Sequence, residues 1–184
     1  MSSVYGRINF NRDEPAIDSL TRMERRLNHL QADKTAQWHS GCAGLGHLML
    51  YNTPQSFSEV LPFYDPASGL AITADARIDN RDELLSKLSV SNAQRSAIPD
   101  SLLILKCYEK YGDACVNHLI GDFAFAIWDE KEQKLFCAKD HIGIKPFFYY
   151  HSLEFFAFAS EIKGILAIEA VSYTHLTLPT NREV

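Results

Sequence analysis

The chain has 184 residues, of which 46% are hydrophobic and 11% are aromatic, which is enough for one domain with a sizeable buried core. This composition excludes a disordered chain, and the net charge of -5, spread without a basic run, excludes an electrostatic surface for nucleic acid or for an anionic membrane. There is no charged-then-apolar leader and no apolar stretch approaching about 18 residues, so we expect a cytoplasmic protein that is neither secreted nor inserted in a membrane.

A strand and a helix are predicted at the start of the chain. Val4 to Phe10 alternates and is rich in strand formers, so residue 2 should lie at an ordered end. Behind Asp13 and Pro15, apolar residues recur at helical spacing and predict an amphipathic helix. These apolar residues are Ile17, Leu20, Met23, Leu27 and Leu30.

The middle of the chain predicts a strand followed by two helices. Leu70 to Ala74 has strand character and leads directly into Asp75-Ala76-Arg77. Asn80 and Glu83 have capping-box spacing and indicate a helix start. A further apolar helix is predicted over residues 102–111, opened by the preceding Pro-Asp-Ser and ended by a glycine.

After Gly121 the pattern changes to strands joined in antiparallel hairpins. The predicted strands are Phe123 to Trp128, Leu135 to Lys139, Phe147 to Tyr150 and Phe155 to Ala159. Strands at both ends of the chain with helices between them predict an α+β fold in which helices cover the sheet faces.

The last fourteen residues, 171–184, lack the periodicity of the rest of the chain. We expect them to be a non-native tail and the natural chain to continue beyond about residue 170. The alternative is a genuine disordered tail.

Several short motifs favour structural roles. Gly44-Leu45-Gly46 lacks the further residues of a phosphate-binding loop and is interpreted as a simple turn. His47 and His118 are interpreted as satisfied core or rim histidines, because no serine or cysteine partner stands out. The four cysteines show no zinc or disulfide spacing, so we expect ordinary buried thiols and no metal. They are Cys42, Cys107, Cys115 and Cys137.

Three longer stretches carry more information together: residues 78–84, residues 119–129, and residues 139–150 leading to Ala159-Ser-Glu-Ile-Lys163. In this order and spacing they resemble the N-terminal glutamine amidotransferase domain of asparagine synthetase and its relatives. The resemblance implies an N-terminal-nucleophile fold, a four-layer αββα sandwich of two antiparallel sheets. It also implies that residues 1–170 are such a domain, cut off before a synthetase domain.

The resemblance implies a chemistry in which a cysteine exposed by removal of the initiator methionine attacks glutamine. Its α-amine acts as the base, and the ammonia passes to a second domain that uses ATP and Mg²⁺, so no cofactor is expected in residues 1–170. Ser2 occupies the cysteine position. A hydroxyl ionises less readily than a thiol, so Ser2 is interpreted as a degenerate nucleophile position.

The other positions implied by the resemblance are also altered. Asp75 and Ala76 replace the asparagine and glycine that form the oxyanion site, and Arg77 replaces a glutamate that binds the substrate's amino group. No basic residue stands at 48–49, where the arginine for the substrate carboxylate is expected. Asp100 alone keeps a substrate-binding residue type. A carboxylate at an oxyanion site would repel the charge that develops there.

Each of these residues also has a structural interpretation. Asp100 follows a proline before a helix and suits a helix N-terminus. Asp140 and Gly143 suit a turn between strands. Residues 75–77 fit an ordinary strand exit with an exposed, salt-bridging arginine.

The resulting hypothesis is a structural domain, degenerate in glutamine hydrolysis, within an ATP-dependent amide-forming enzyme. It is similar to the branch of the family with an altered N-terminal nucleophile, which is β-lactam synthetase-like and lasso peptide cyclase-like. The alternatives are an active glutaminase that uses Ser2 to supply ammonia for asparagine synthesis, and a stand-alone interaction module. The expected partners are a synthetase domain in cis or in trans, a small-molecule substrate and, in a homodimer, a second copy of the chain.

Overall fold

The computed structural model describes residues 2–11, 13, 17–51, 56–57, 59–90 and 98–168, so residues 171–184 lie outside the described part of the chain. The described residues form nine strands and four α-helices. The strands are β1 (Ser3–Asn9), β2 (Lys34–Ser40), β3 (Ala43–Met49), β4 (Phe63–Asp65), β5 (Leu70–Ile78), β6 (Gly121–Asp129), β7 (Lys134–Lys139), β8 (Phe148–His151) and β9 (Phe155–Ala159). The helices are α1 (Ile17–Leu27), α2 (Arg81–Lys87), α3 (Asp100–Tyr111) and α4 (Ile162–Ile165).

The strands form two antiparallel sheets. The five-stranded sheet has the order β2-β3-β1-β9-β8 and the four-stranded sheet has the order β4-β5-β6-β7. Strand β1 lies in the middle of the first, with Ser3 opposite Leu48 of β3 and Tyr5 opposite Ala159 of β9. The predicted N-terminal strand is therefore confirmed, and residue 2 is anchored beside the centre of a sheet.

Successive side chains of a strand point to opposite faces of its sheet, so each sheet has one face towards the other sheet and one face towards helices. The two sheets and the helices outside them form four layers. One face of each sheet meets the other sheet through small and branched residues, namely Val4, Leu45, Ala71, Ala124 and Ala126. The outer face of the five-stranded sheet packs against α1 and α4, and that of the four-stranded sheet packs against α2 and α3. The predicted αββα sandwich of two antiparallel sheets is confirmed.

The turn predicted at Gly44-Leu45-Gly46 is wrong, because these residues lie inside β3. All seven residues of β3 are buried, and Gly46 is needed for close packing. A Cβ atom at Gly46 would lie 2.0 Å from a ring carbon of Tyr5 on the neighbouring strand. Strands β2 and β4 were likewise not predicted.

Three further local predictions need correction. Residues 75–77 continue β5 and are not a strand exit, because they pair with β6 up to Ile78. The helix start predicted at Asn80 is confirmed, because α2 begins at Arg81, but Asn80 makes no side-chain cap bond to the helix backbone. Its side chain donates to Glu83 at 3.3 Å and to the His118 carbonyl at 2.9 Å, and it accepts from the Ile120 amide at 3.0 Å. Ile17 begins α1 but is exposed rather than part of its buried face.

The two histidines differ in their surroundings. His47 is buried, and the Thr73 hydroxyl donates to the Gly46 carbonyl at 3.0 Å while accepting from His47 Nδ1 at 3.2 Å. His47 Nε2 has no hydrogen-bond partner among the described residues, so the expectation of a satisfied core histidine holds for one ring nitrogen only. Burial lowers the pKa of His47 to about 3, which keeps it neutral. His118 is half-buried and stacks near Tyr111, as expected for a rim position.

The cysteines are all free thiols, three of them buried and Cys137 half-buried. Within the described residues, no group of three or more His, Cys, Asp or Glu side chains could hold a metal ion. No helix in that part of the chain is long and apolar enough to cross a membrane.

Candidate active site at the Ser2 end of the sandwich

Ser2 lies at the end of the sandwich where β1 begins, with 7% of its surface exposed. Its hydroxyl accepts a hydrogen bond from the Leu50 amide at 3.1 Å and donates to Met49 Sδ at 3.7 Å. No carboxylate or imidazole among the described residues hydrogen-bonds this hydroxyl. The side chain is therefore held by the end of β3 and not activated by a neighbouring side-chain base.

Asp75 faces the five-stranded sheet from β5. Thr73, two residues earlier, reaches the Gly46 carbonyl of that sheet, and residues two apart share a face of a strand. The beginning of β5 lies at the other end of the sandwich. There Ala71 pairs with Trp128, and Trp128 lines a cavity together with Cys42. Asp75 therefore lies towards the end occupied by Ser2.

A buried ion pair joins Asp75 to Lys145. Asp75 Oδ1 and Lys145 Nζ are 2.9 Å apart, and the two side chains are only 10% and 14% exposed. Burial raises the pKa of Asp75, and the nearby Lys145 ammonium opposes this shift without cancelling it. The pair places a carboxylate at the position where the family resemblance implies an oxyanion donor.

The loop between β7 and β8 positions Lys145. The Asp140 carboxylate accepts hydrogen bonds from the backbone amides of Gly143, Ile144 and Lys145 at 2.6, 2.9 and 3.0 Å. Burial alone would raise the pKa of Asp140, but these amides lower it below its usual value. Gly143 adopts a φ of +74° that favours glycine. The structural interpretation of Asp140 and Gly143 is confirmed, and their turn presents Lys145 to Asp75.

Ala76 and Arg77 take no part in this ion pair. Ala76 packs against the core beneath α3. Arg77 is exposed and forms surface ion pairs with Asp79 at 3.1 Å and with Asp122 at 3.4 Å. The expected salt-bridging arginine is thus observed, although within a strand.

Both carboxylate oxygens of Asp100 are used within the protein. One accepts from the Ile78 amide at 3.1 Å, and the other pairs with Arg81. Arg81 also donates to the Ile98 carbonyl at 2.6 Å. Asp100 is the first residue of α3, as its structural interpretation predicts, and its side chain links the end of β5 to the start of α2.

Glu59 is a site residue that sequence reasoning missed. It accepts a hydrogen bond from the Ser101 amide at 3.3 Å and lies close enough to Asp75 and Arg81 for their charges to act on it. Burial is the main reason why the pKa of Glu59 is raised. No sequence motif marks this residue.

The site as a whole contains the carboxylates of Glu59, Asp75 and Asp100 and the cations of Arg81 and Lys145. These charges are largely paired with one another or with backbone amides. The arrangement suits a fixed structural network.

Several known proteins are similar to this chain in sequence. The sequence profile of the glutamine amidotransferase domain matches residues 1–177. The chain is 30% identical over 187 aligned residues to the putative asparagine synthetase [glutamine-hydrolyzing] 2 of Methanocaldococcus jannaschii, covering 94% of this chain and 36% of that protein. It is 42% identical over 96 residues to asparagine synthetase [glutamine-hydrolyzing] 3 of Bacillus subtilis, covering 52% of this chain and 16% of that protein. The chain thus spans little more than a third of the length of the first of these relatives, and its match to the second covers still less of that protein.

The fold also matches a solved structure. The glutamine phosphoribosylpyrophosphate amidotransferase from B. subtilis, complexed with ADP and GMP, superimposes with a TM-score of 0.69 over 91% of this chain and 43% of that chain. The sequence identity is 18%, so this likeness concerns the fold alone.

Proposed function

The chain belongs to the glutamine amidotransferase domain family, and from this membership we propose that it is the amidotransferase-like domain of an asparagine synthetase-type, ATP-dependent enzyme and no longer hydrolyses glutamine. Its role would be structural. In the whole protein, ATP and Mg²⁺ would be bound by a synthetase domain that is not part of this chain. Gly44 and Gly46, the glycine pair considered as a phosphate-binding loop, lie inside strand β3.

The buried Asp75–Lys145 ion pair is the observation that carries this proposal. Loss of one oxyanion donor costs roughly 3–4 kcal/mol of transition-state stabilisation, and here the donor is replaced by a carboxylate. The Ser2 hydroxyl adds a second obstacle, because it is a weaker nucleophile than a thiol and its described partners are an amide and a thioether.

Ammonia release from glutamine tests the proposal. The purified chain should release none at millimolar glutamine, and neither should Ser2→Cys, because a better nucleophile does not remove the carboxylate of Asp75. Release by the unmodified chain that disappears in Ser2→Ala would contradict the proposal and would establish the alternative, an active glutaminase that feeds asparagine synthesis.

A combined variant separates the nucleophile from the oxyanion site. Ser2→Cys together with Asp75→Asn and Ala76→Gly restores the residue types implied at all three positions. If the oxyanion site limits catalysis, this variant should release ammonia while Ser2→Cys alone does not. Equal release by both variants would show that Asp75 is no obstacle.

A synthetase domain could be fused to this chain or encoded by a separate gene. Reading the source DNA beyond the codon for Ala170 distinguishes a fused enzyme from a stand-alone module. An open frame that encodes a synthetase domain supports the first. A stop codon, with co-purification of a separately encoded synthetase, supports the interaction module.

A further inference from the structure

The N-terminal end of β1 lies level with Asp75 across the interface between the two sheets. His47 of β3 is opposite Val4 of β1 in the register, and its ring hydrogen-bonds the Thr73 hydroxyl of β5 at 3.2 Å. Ser2 comes two residues before Val4, and Asp75 comes two residues after Thr73, both towards the same end of the sandwich. Two residues of extended chain cover about 7 Å in either strand. Ser2 and Asp75 therefore occupy the same level of the interface, next to the level of Val4 and Thr73.

The α-amino group at the start of the chain acts electrostatically on Asp75. Burial raises the pKa of Asp75, and two cations oppose this shift, first the Lys145 ammonium and then the α-ammonium of the chain. This effect agrees with the register, because a charge must lie near a carboxylate to shift its pKa. The N-terminal ammonium and Asp75 thus belong to one cluster of charges at this end of the sandwich.

One oxygen of Asp75 is available for a further donor. Oδ1 accepts from Lys145 Nζ at 2.9 Å, whereas Oδ2 accepts no hydrogen bond from any residue that the structure describes. The side chain is only 10% exposed, so water compensates little of its charge. A buried carboxylate is favourable only where cations or donors compensate it, and Oδ2 therefore offers a place for a second, positively charged donor.

Ser2 is held in place through its side chain and through the strand that follows it. Its hydroxyl accepts from the Leu50 amide at 3.1 Å, and the Val4 amide donates to Ser160 Oγ at 2.9 Å. Only 7% of Ser2 is exposed. An ammonium group on this residue would be largely removed from water and would need a counter-ion.

We propose that Asp75 is the counter-ion of the Ser2 α-ammonium group in the chain from which Met1 has been removed, and that it keeps this amine protonated. Serine is small enough to permit removal of the preceding methionine. The amine would donate to Asp75 Oδ2 while Lys145 stays on Oδ1. A protonated amine cannot accept a proton from the Ser2 hydroxyl, so the site loses its base. This inference rests on the proposed function, because it names the group that removes the base from the same site.

Among the described residues, the other charged groups around this chain end do not replace Asp75. Asp33 is exposed and already accepts from a backbone amide at 2.7 Å. Burial raises the pKa of Glu59, which makes its carboxylate harder to ionise. Lys145 is itself a cation, and His47 stays neutral because burial lowers its pKa to about 3. Asp75 is therefore the carboxylate that should control the protonation of the amine.

NMR titration of the Ser2 amine tests the proposal. Mass spectrometry first establishes that the purified chain begins at Ser2. In a chain labelled with ¹³C-serine, the Ser2 signals shift when its amine titrates, and the Ser2→Ala variant identifies them. A free α-amine titrates at about 7.7–8.0, and we expect the Ser2 amine to titrate at least about one pH unit higher because of the adjacent carboxylate. The neutral fraction at pH 7 would then fall from roughly a tenth to about a hundredth or less.

Variants separate the charge of Asp75 from its effect on the fold. Asp75→Val with Lys145→Met removes the carboxylate together with its partner, and the amine should titrate at about 8 or below. Lys145→Met alone removes only the competing cation and should move the titration further upward. Asp113→Asn is the matched control, because this carboxylate pairs with Lys134 on the surface, and it should leave the titration unchanged. The unmodified chain and the double variant decide the proposal even where Lys145→Met fails to fold.

Three results would overturn the proposal. The first is retention of Met1 in the mature chain, because the Ser2 nitrogen would then be an uncharged amide. The second is titration of the amine at about 8 or below in the unmodified chain. The third is the same titration in the unmodified chain and in the double variant.

Ammonia release from glutamine is a separate measurement. An ordinary amine titration without ammonia release would contradict this inference alone. Release that appears only as the pH rises through the raised titration would contradict the loss of hydrolysis and would support this inference.

Discussion

Replacing Lys145 by methionine tests the energetics of the candidate site. This change keeps an unbranched side chain, one heavy atom shorter, and removes the ammonium that faces Asp75 at 2.9 Å. Because both side chains are nearly buried, the carboxylate would be left without its partner in a desolvated position. We expect Lys145→Met to lower the free energy of unfolding at neutral pH by about 3–5 kcal/mol, the range seen when one partner of a buried pair is removed.

Removal of both charges should have a different effect. Burial raises the pKa of Asp75 even with Lys145 beside it, so the pair does not recover the full cost of taking the carboxylate out of water. The combined variant Asp75→Val with Lys145→Met should therefore be as stable as the unmodified chain, or more stable by about 1–4 kcal/mol. Valine also suits the strand position of residue 75.

The pH dependence of the single variant follows from the same pKa. Without the ammonium, the pKa of Asp75 rises further, so the folded variant binds a proton more readily than the unfolded chain. The stability gained by this protonation is complete below the unfolded pKa and is lost as pH rises through the folded pKa. The deficit of Lys145→Met should therefore shrink as the pH is lowered from 7 towards the usual carboxyl range.

Urea unfolding followed by circular dichroism measures these differences. Lys134→Met is the matched control, because Lys134 pairs with Asp113 at 2.6 Å on the surface, where an ion pair contributes about 0–1 kcal/mol. A loss of less than about 1 kcal/mol in Lys145→Met, equal to that of Lys134→Met, would refute the assignment of a buried ion pair at this site.

Two further predictions concern the sheets that carry the site. Gly46→Ala should lower the free energy of unfolding by more than about 2 kcal/mol, because the added Cβ would meet the Tyr5 ring. Gly41→Ala is the control: the space around Gly41 is open, so only its positive φ should lower the free energy of unfolding, by about 1 kcal/mol. Similar losses for the two variants in thermal unfolding would contradict the packing argument. The folded pKa of His47, about 3, lies well below the unfolded value, so the stability that neutral His47 contributes is present above about pH 6.5 and is lost as pH falls, by up to about 1.4 kcal/mol per pH unit. In urea titrations, His47→Gln should flatten this dependence of the unfolding free energy on pH, whereas His39→Gln, at an exposed position, should not. An unchanged dependence in His47→Gln would show that His47 is not buried in its neutral form.

The sequence predicted elements with a clear period or a strong strand composition. Helix α1 was recognisable because Leu20, Met23 and Leu27 lie on one face, and β6 was recognisable because it is rich in aromatic and branched strand formers. Strand β3 is covered on both faces like β6, but it lacks this composition. Its glycines, which allow Tyr5 to pack across Gly46, imitate the composition of a turn.

The candidate site was only partly predictable. The altered positions Ser2 and Asp75 could be found by family resemblance, but the partner of Asp75 could not. Lys145 is 70 residues away in sequence and reaches the site through a turn held by Asp140, so only the packing of the β7–β8 loop on β5 brings the pair together. Local patterns contain no information about such a contact.

This long-range pair also links the stability of the fold to the residue at position 75. A buried carboxylate at residue 75 would be strongly unfavourable without a cation, and Lys145 supplies that cation. Conversely, Asp75→Asn alone would leave the Lys145 ammonium buried without its counter-ion and should be destabilising by a few kcal/mol. Restoring asparagine at position 75 by itself is therefore expected to lower the stability of the fold without restoring catalysis. That result would indicate a structural role for residue 75 and would distinguish this site from one that has lost only its nucleophile.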